Sequence, residues 1–264
     1  MRIAVIGGGV MGEALIAGIL RNVQPTPTVV VAERRPERLA ELVVRYAVQG
    51  AEAEQACAGA DVVILVVKPF DAKAVLAELA PNIPQGAVLV SVVAGLSTSA
   101  MEELVPHAHA VRAMPNTPAR IDAGVTGVSG GVHCPIESVE LAITLMSAVG
   151  AVIHVPEDLQ DAVTSVSGSG PAYVFYLAEA MLAGAREGGL SEEAARTAVI
   201  QTILGAARLM DWSGVDPAEL RANVTTPNGT TAAAIATMED ADMRGTVARA
   251  IAAARARSKE LSTT

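Results

Sequence analysis

Up to about residue 155, short β-branched runs alternate with segments of helical periodicity, and beyond about 158 the β-branched runs stop. The runs are "RIAVIG" at 2–7, "TVVVAE" at 28–33, "DVVILVVK" at 61–68, "AVLVSVV" at 87–93, "HAVRAM" at 109–114 and "VTGVSGG" at 125–131. A last short one, "AVIHV", follows a helical segment at 136–150. Near-continuous Val and Ile without polar alternation fits strands covered on both faces. Between the runs lie "GEALIAGILRNV", "PERLAELVVRYAV", "AKAVLAELAPNI" and "STSAMEELV", all with helical spacing. Such alternation predicts a parallel sheet with helices on both sides.

The remainder reads as helix throughout: "PAYVFYLAEAMLAGAREGG", "SEEAARTAVIQTILGAARLMDW", "DPAELRANV" and two further segments between 230 and 261. Ser191 before Glu192 and Glu193 is an N-cap followed by first-turn acids. Asp216-Pro217 is a cap followed by proline at the first helical position. The segment 171–187 is apolar almost all round until Arg186. A helix apolar on every face needs cover on every face, so a second copy of the chain is expected against it.

Composition narrows the function. A net charge of −9 argues against a nucleic-acid partner, which would need basic patches. Cys57 and Cys134 are too few for a disulfide framework and read as small buried residues. His107, His109, His133 and His154 show no metal-ligand spacing, so no metal is expected. The apolar N-terminus carries Gly7, Gly8, Gly9, Gly12 and Glu13 and no cleavage site, unlike a signal peptide. No apolar stretch reaches the ~20 residues needed to span a bilayer, so a cytoplasmic protein without membrane partners is expected.

"IGGGVMG" contains Gly7-x-Gly9-x-x-Gly12 directly after the first strand and at the start of a helix. That is the setting of a dinucleotide fingerprint. The first glycine allows the tight turn, the second admits the pyrophosphate, and the third lets helix pack on strand. The free N–H groups of the helix start, with Val10 and Met11, would face the phosphates. Glu33 ends the second strand, where a carboxylate would bond the ribose 2′-hydroxyl of NADH. Arg34 and Arg35 follow at once and suit the 2′-phosphate of NADPH. NADPH is the favoured cofactor, with Glu33 turned aside, and NADH stays open as the alternative. The fold expected is α/β: a Rossmann-type, mainly parallel sheet domain over 1–157, then an all-α substrate-binding and dimerisation domain over 158–264.

Four further strings occur in order: "VKP" at 67–69, "MPNTP" at 114–118, "SGSGPAY" at 167–173 and "VTTPNGTT" at 224–231. With "IGGGVMG" they make the chain resemble the pyrroline-5-carboxylate reductases over nearly its full length. The resemblance implies NAD(P)H-dependent reduction of the cyclic imine 1-pyrroline-5-carboxylate to L-proline, the last step of proline biosynthesis. It also implies homodimers joined by the C-terminal helices, assembling further into a decameric ring of five dimers. Four positions depart from the family pattern. Thr226 and Asn228 stand where "VTSPGGTT" is usual, Phe70 stands where "VKPQ" is usual, and a common asparagine near Ala53 is missing.

The imine's carboxylate needs hydrogen-bond donors, yet the helical part holds no lysine but Lys259. Backbone amides of Gly168, Ser169 and Gly170, and of Gly229, Thr230 and Thr231, each at a helix start, can supply them without formal charge. The resemblance implies that Thr231 hydrogen-bonds the ring nitrogen. Asn116 within "MPNTP" would floor the place where nicotinamide and substrate meet. Val67, Lys68 and Pro69, beyond the third long strand, together with Ala94 and Gly95, are assigned to the cofactor. A β-hydroxyacid dehydrogenase would need a lysine acid on the helical domain, and Lys68, Lys73 and Lys259 are unsuitably placed. A non-catalytic nucleotide sensor would keep the glycine fingerprint and lose both substrate loops. Ring size of the imine, five or six members, is not legible in Thr, Ser and Gly side chains.

Overall fold

The computed structural model describes residues 1–262, which divide into two compact units, 1–171 with 253–262 and 172–252. The first unit is an eight-stranded sheet: β1 Arg2–Ile6, β2 Thr28–Ala32, β3 Gln49–Gly50, β4 Val62–Leu65, β5 Val88–Ser91, β6 His109–Met114, β7 Gly124–Gly130 and β8 Gly150–His154. Their order in the sheet is β3-β2-β1-β4-β5-β6-β7-β8. Six helices connect them: α1 Val10–Asn22, α2 Pro36–Tyr46, α3 Ala53–Cys57, α4 Pro69–Leu79, α5 Thr98–Leu104 and α6 Ile136–Ser147.

Side chains of successive strand residues point to opposite faces, and here each face meets its own layer of helices. Ile3 and Val5 join Leu15, Ile16, Ile19, Leu145 and Met146 on one side. Ala4 and Ile6 join Leu76, Leu79, Met101 and Val105 on the other. That is why these strands read as unbroken Val and Ile rather than as alternation. Cys57 is fully buried and Cys134 half-buried, and both are free.

The parallel pattern fails at one place. β6 and β7 pair antiparallel, with Val111 opposite Gly130, and β8 then runs parallel to β7. The connection 115–123 holds only a 3-10 turn, Thr117–Ile121. A parallel crossover needs about a dozen residues or more, so this link reverses the chain instead. β3 and α3 had no counterpart in the sequence reading; two residues and a single turn are too short for a periodic signal.

Before Pro171, where the sequence places a helix start, the chain is already helical: it continues from α7, Gln160–Val163, through a π-helical turn at Thr164–Gly168 into α8, Gly170–Glu187. Ser165 and Ser167 donate their hydroxyls to the carbonyls of Ala162 and Val163 at 2.8 and 3.0 Å. Small side chains with such back-bonds permit the wider turn.

The second unit holds the rest of α8, then α9 Glu192–Ser213, α10 Pro217–Asn223, α11 Thr230–Asp240 and the start of α12, Met243–Ser262. The two expected caps form: Ser191 accepts from the Ala194 N–H at 3.3 Å, and Asp216 from the Ala218 N–H at 2.8 Å. No α8 residue is buried in the single chain, and Phe175 and Tyr176 are 61% and 76% exposed. Among the described residues no helix is long and apolar enough to cross a membrane.

Candidate active site

In the order β2-β1-β4 the chain switches direction at β1, and ligands of such sheets bind beyond the strand ends at that point. Gly7 turns the chain there with φ +112°, a conformation closed to most side chains, and a Cβ on it would strike the Val66 carbonyl. A Cβ on Gly12 would strike the Gly7 carbonyl, so α1 can lie this close to β1 only with glycine at that position. Gly9 differs: a Cβ on it would meet nothing within 4 Å. Gly9 is also the N-cap of α1, with no side chain bonded to the cap. Uncapped first-turn amides beside open space form an anion seat.

Gly8, the central residue of the glycine loop, is held at both its N–H and its carbonyl. Glu33 accepts from the Gly8 N–H at 2.9 Å, and Arg38 Nε donates to the Gly8 carbonyl at 2.9 Å. Glu33 also accepts from the Arg35 backbone and side chain, each at 3.1 Å. Burial pushes the Glu33 carboxyl up, but the hydrogen bonds from Arg35 and Gly8 outweigh it and leave it below the ordinary carboxylate range. Its carboxylate is therefore engaged within the chain.

Arg38 in turn pairs with Glu13 in the first turn of α1, which also accepts from Arg45 at 2.6 Å and from the Tyr46 hydroxyl at 2.9 Å. Burial raises the Glu13 carboxyl, and bonds from Arg38, Tyr46 and Arg45 more than reverse this and leave it below the ordinary carboxylate range. A depressed folded-state value means that the stabilisation is complete above the unfolded value and fades as pH falls through the folded one. Glu13→Gln is accordingly expected to flatten the fall in melting temperature between about pH 5 and pH 3. An acid slope identical to that of the unaltered protein would contradict the coupling.

Around this loop lies a cleft of about 900 Å³. Of the residues assigned to the cofactor, Gly7, Gly9, Val10, Met11, Glu33, Arg34, Val67, Lys68, Pro69 and Ala94 line it. Gly12 lies beneath the loop as packing, and Gly95 turns the chain just past Ala94 with φ +82°. Asn116 is the clearest revision, because it is 8% exposed and does not line the cleft. Its Nδ2 donates to the Ser167 carbonyl and its Oδ1 accepts from the Val125 N–H, both at 2.9 Å. It ties the π-helical turn to the sheet, and the floor is made by its neighbours Met114, Pro115 and Thr117.

The wall also includes Arg35, which the sequence pairs with Arg34, and Glu52, Glu54, Glu78 and Arg120, to which no motif pointed. A cleft of this size, with bare first-turn amides and cations at its rim, fits a dinucleotide with its phosphates. Among the described residues no group of three His, Cys, Asp or Glu could hold a metal.

The two loops assigned to the substrate belong to different units. In the first, the Ser169 N–H already donates to the Thr164 carbonyl at 2.9 Å, so that amide is spent inside the turn. In the second, Asn228 adopts φ +59°, which asparagine tolerates better than most residues. Gly229 caps α11, and its N–H is spent on the Thr226 carbonyl at 3.0 Å. A Cβ at Gly229 would lie 2.5 Å from Thr226 Oγ1, so a side chain at 229 would require Thr226 to shift. The free donors there are the Thr230 and Thr231 amides in the first turn of α11. Thr225 and Thr237 return their hydroxyls to Arg221 and Ala233, at 2.6 and 3.1 Å. The Thr231 hydroxyl makes no such bond.

A switch-point cleft above a glycine loop, on a sheet covered by helices on both faces, defines a Rossmann-type dinucleotide-binding oxidoreductase. Family models agree: residues 2–95 match the NADP oxidoreductase, coenzyme F420-dependent family, and residues 157–261 match pyrroline-5-carboxylate reductase dimerisation. The chain belongs to the pyrroline-5-carboxylate reductase family. It is 40% identical to the pyrroline-5-carboxylate reductase of Mycobacterium tuberculosis, covering 98% of this chain and 96% of that one. The solved structure of the Coxiella burnetii enzyme is 36% identical with a TM-score of 0.93, covering 100% and 99% of the two chains. That of Plasmodium falciparum pyrroline carboxylate reductase with NADP bound is 26% identical, with a TM-score of 0.88 over 99% and 98%.

Proposed function

We propose that this chain reduces the C=N bond of 1-pyrroline-5-carboxylate to L-proline with NADPH as the preferred donor. The observation that carries the reading is the Thr231 hydroxyl, left unspent beside the free first-turn amides of α11 in a chain that also holds the dinucleotide cleft. When bound, the reduced nicotinamide supplies a hydride to the imine carbon. The substrate carboxylate is held by the first-turn amides of α11, where the helix dipole favours an anion. The Thr231 hydroxyl lies at the ring nitrogen and fixes the carbon's approach. A nitrogen that arrives protonated donates to the Thr231 oxygen. As hydride joins the carbon, the C=N π pair returns to nitrogen and leaves a neutral amine. A threonine hydroxyl is a weak acid, so its part is orientation.

The preference for NADPH rests on Glu33, which is engaged by Gly8 and Arg35, and on the two arginines at the cleft rim. The Plasmodium relative was solved with NADP bound. On this reading residues 1–157 serve the cofactor and 158–264 serve substrate and assembly. The exposed apolar face of α8 pairs with a second copy, and dimers build a decamer in the cytoplasm. Mixing the protein with NADPH and the five-membered imine should bleach the nicotinamide absorbance in proportion to proline formed. Absence of turnover with either NADPH or NADH would overturn the assignment, and a higher kcat/KM with NADH would overturn the cofactor preference.

A further inference from the structure

Arg34 and Arg35 are the two cations at the rim where β2 ends, and each already holds a carboxylate. Arg35 is fixed to Glu33 by its backbone and its Nε. Glu33, with a 10% exposed side chain, also holds Gly8, so it cannot leave without loosening the glycine loop. Arg34 is different. Its guanidinium makes one bond, to Asp71 Oδ2 at 2.8 Å, and its side chain is 82% exposed. Asp71 stands in the first turn of α4, the helix that follows β4.

Because β1 lies between β2 and β4, a bond from the end of β2 to the start of α4 passes over the end of β1. The Arg34–Asp71 pair therefore bridges the rim of the cleft between the end of β2 and the start of α4. Glu52, Glu54 and Glu78 line the same cleft, so Asp71 is one of several carboxylates near its cations. Two anions at close range compete for one cation, and an exposed pair is easily exchanged.

We propose that Asp71 sets cofactor specificity by competing with the 2′-phosphate of the dinucleotide for Arg34. This rests on the reading of the chain as an NADPH enzyme. A 2′-phosphate captures the guanidinium bidentately and releases Asp71, which opens the bridge. A 2′-hydroxyl offers no such exchange, so NADH binds with the bridge intact. Asp71 is thus a brake on NADPH affinity that leaves NADH untouched.

The test is calorimetric titration of Asp71→Asn and the unaltered protein with NADP⁺, NAD⁺ and adenosine 2′-monophosphate at low and high salt. NADP⁺ and adenosine 2′-monophosphate should bind the variant about three- to fivefold more tightly, the equivalent of one exposed ion pair, with the gain shrinking in salt. NAD⁺ affinity should be unchanged, which also shows that the variant is folded. An unaltered protein that prefers NADP⁺ together with an unchanged NADP⁺ affinity in Asp71→Asn overturns the competition. So does weaker NADP⁺ binding in the variant, which would make Asp71 a support for Arg34 instead. If the unaltered protein prefers NAD⁺ and Arg34→Ala leaves NADP⁺ binding unchanged, the NADPH reading itself falls.

Discussion

Gly9→Ala is expected to leave the melting temperature within about 2 °C of the unaltered protein while weakening NADP⁺ binding at least about 100-fold. The two effects separate because of where the methyl would go. Gly9 has φ −66°, which any residue adopts, and its Cβ would point into open space. Nothing in the folded chain opposes the methyl. The same space is where a pyrophosphate must come within hydrogen-bond reach of the α1 amides, and a methyl there holds it off. Gly7→Ala provides the contrast. At φ +112°, with a Cβ driven against the Val66 carbonyl, it should lose about 2–4 kcal/mol of stability as well as cofactor. Thermal melts and calorimetric titrations of the two variants check this directly. A Gly9→Ala protein that binds NADP⁺ normally would remove the pyrophosphate from this loop.

The difference between those glycines marks what a sequence can carry. The fingerprint names all three positions, because each strand–turn–helix of this kind repeats the same backbone demands. Which one is strained, which packed and which open depends on Val66 and on Gly7 itself, and only the folded chain brings these together. Strands were legible for a similar reason: Ile3, Val5, Val31 and Ile64 lie in a sheet buried on both faces, so apolar runs stand alone as a signal. The reversal at β6 was written only in the shortness of 115–123, and the Val-rich run at 125–131 looks alike in either direction. Asn116 shows the limit most sharply. A motif marks it, but its partners Ser167 and Val125 lie 51 and 9 residues away, and nothing in "MPNTP" says that the amide faces them instead of the cleft. Arg38 and Arg120 belong to no motif at all, since they reach the site from the surfaces of neighbouring elements.

Thr231→Ala should lower kcat by about 10- to 100-fold with NADP⁺ affinity nearly unchanged, the loss of one hydrogen bond to a group that carries charge. Stability should hardly move, because the hydroxyl makes no bond to the chain and the residue is only half-buried. Thr231→Ser keeps the oxygen and should recover most of the rate. That recovery separates a bond at the reacting nitrogen from simple packing, which the lost methyl would disturb as much as the lost hydroxyl. The neighbouring Thr230→Ala is a second control: its backbone amide stays in the first turn of α11, so substrate binding should survive. If Thr231→Ala turns over at the normal rate, the hydroxyl has no part at the ring nitrogen. If the serine variant is as slow as the alanine variant, shape rather than the oxygen is what the site uses.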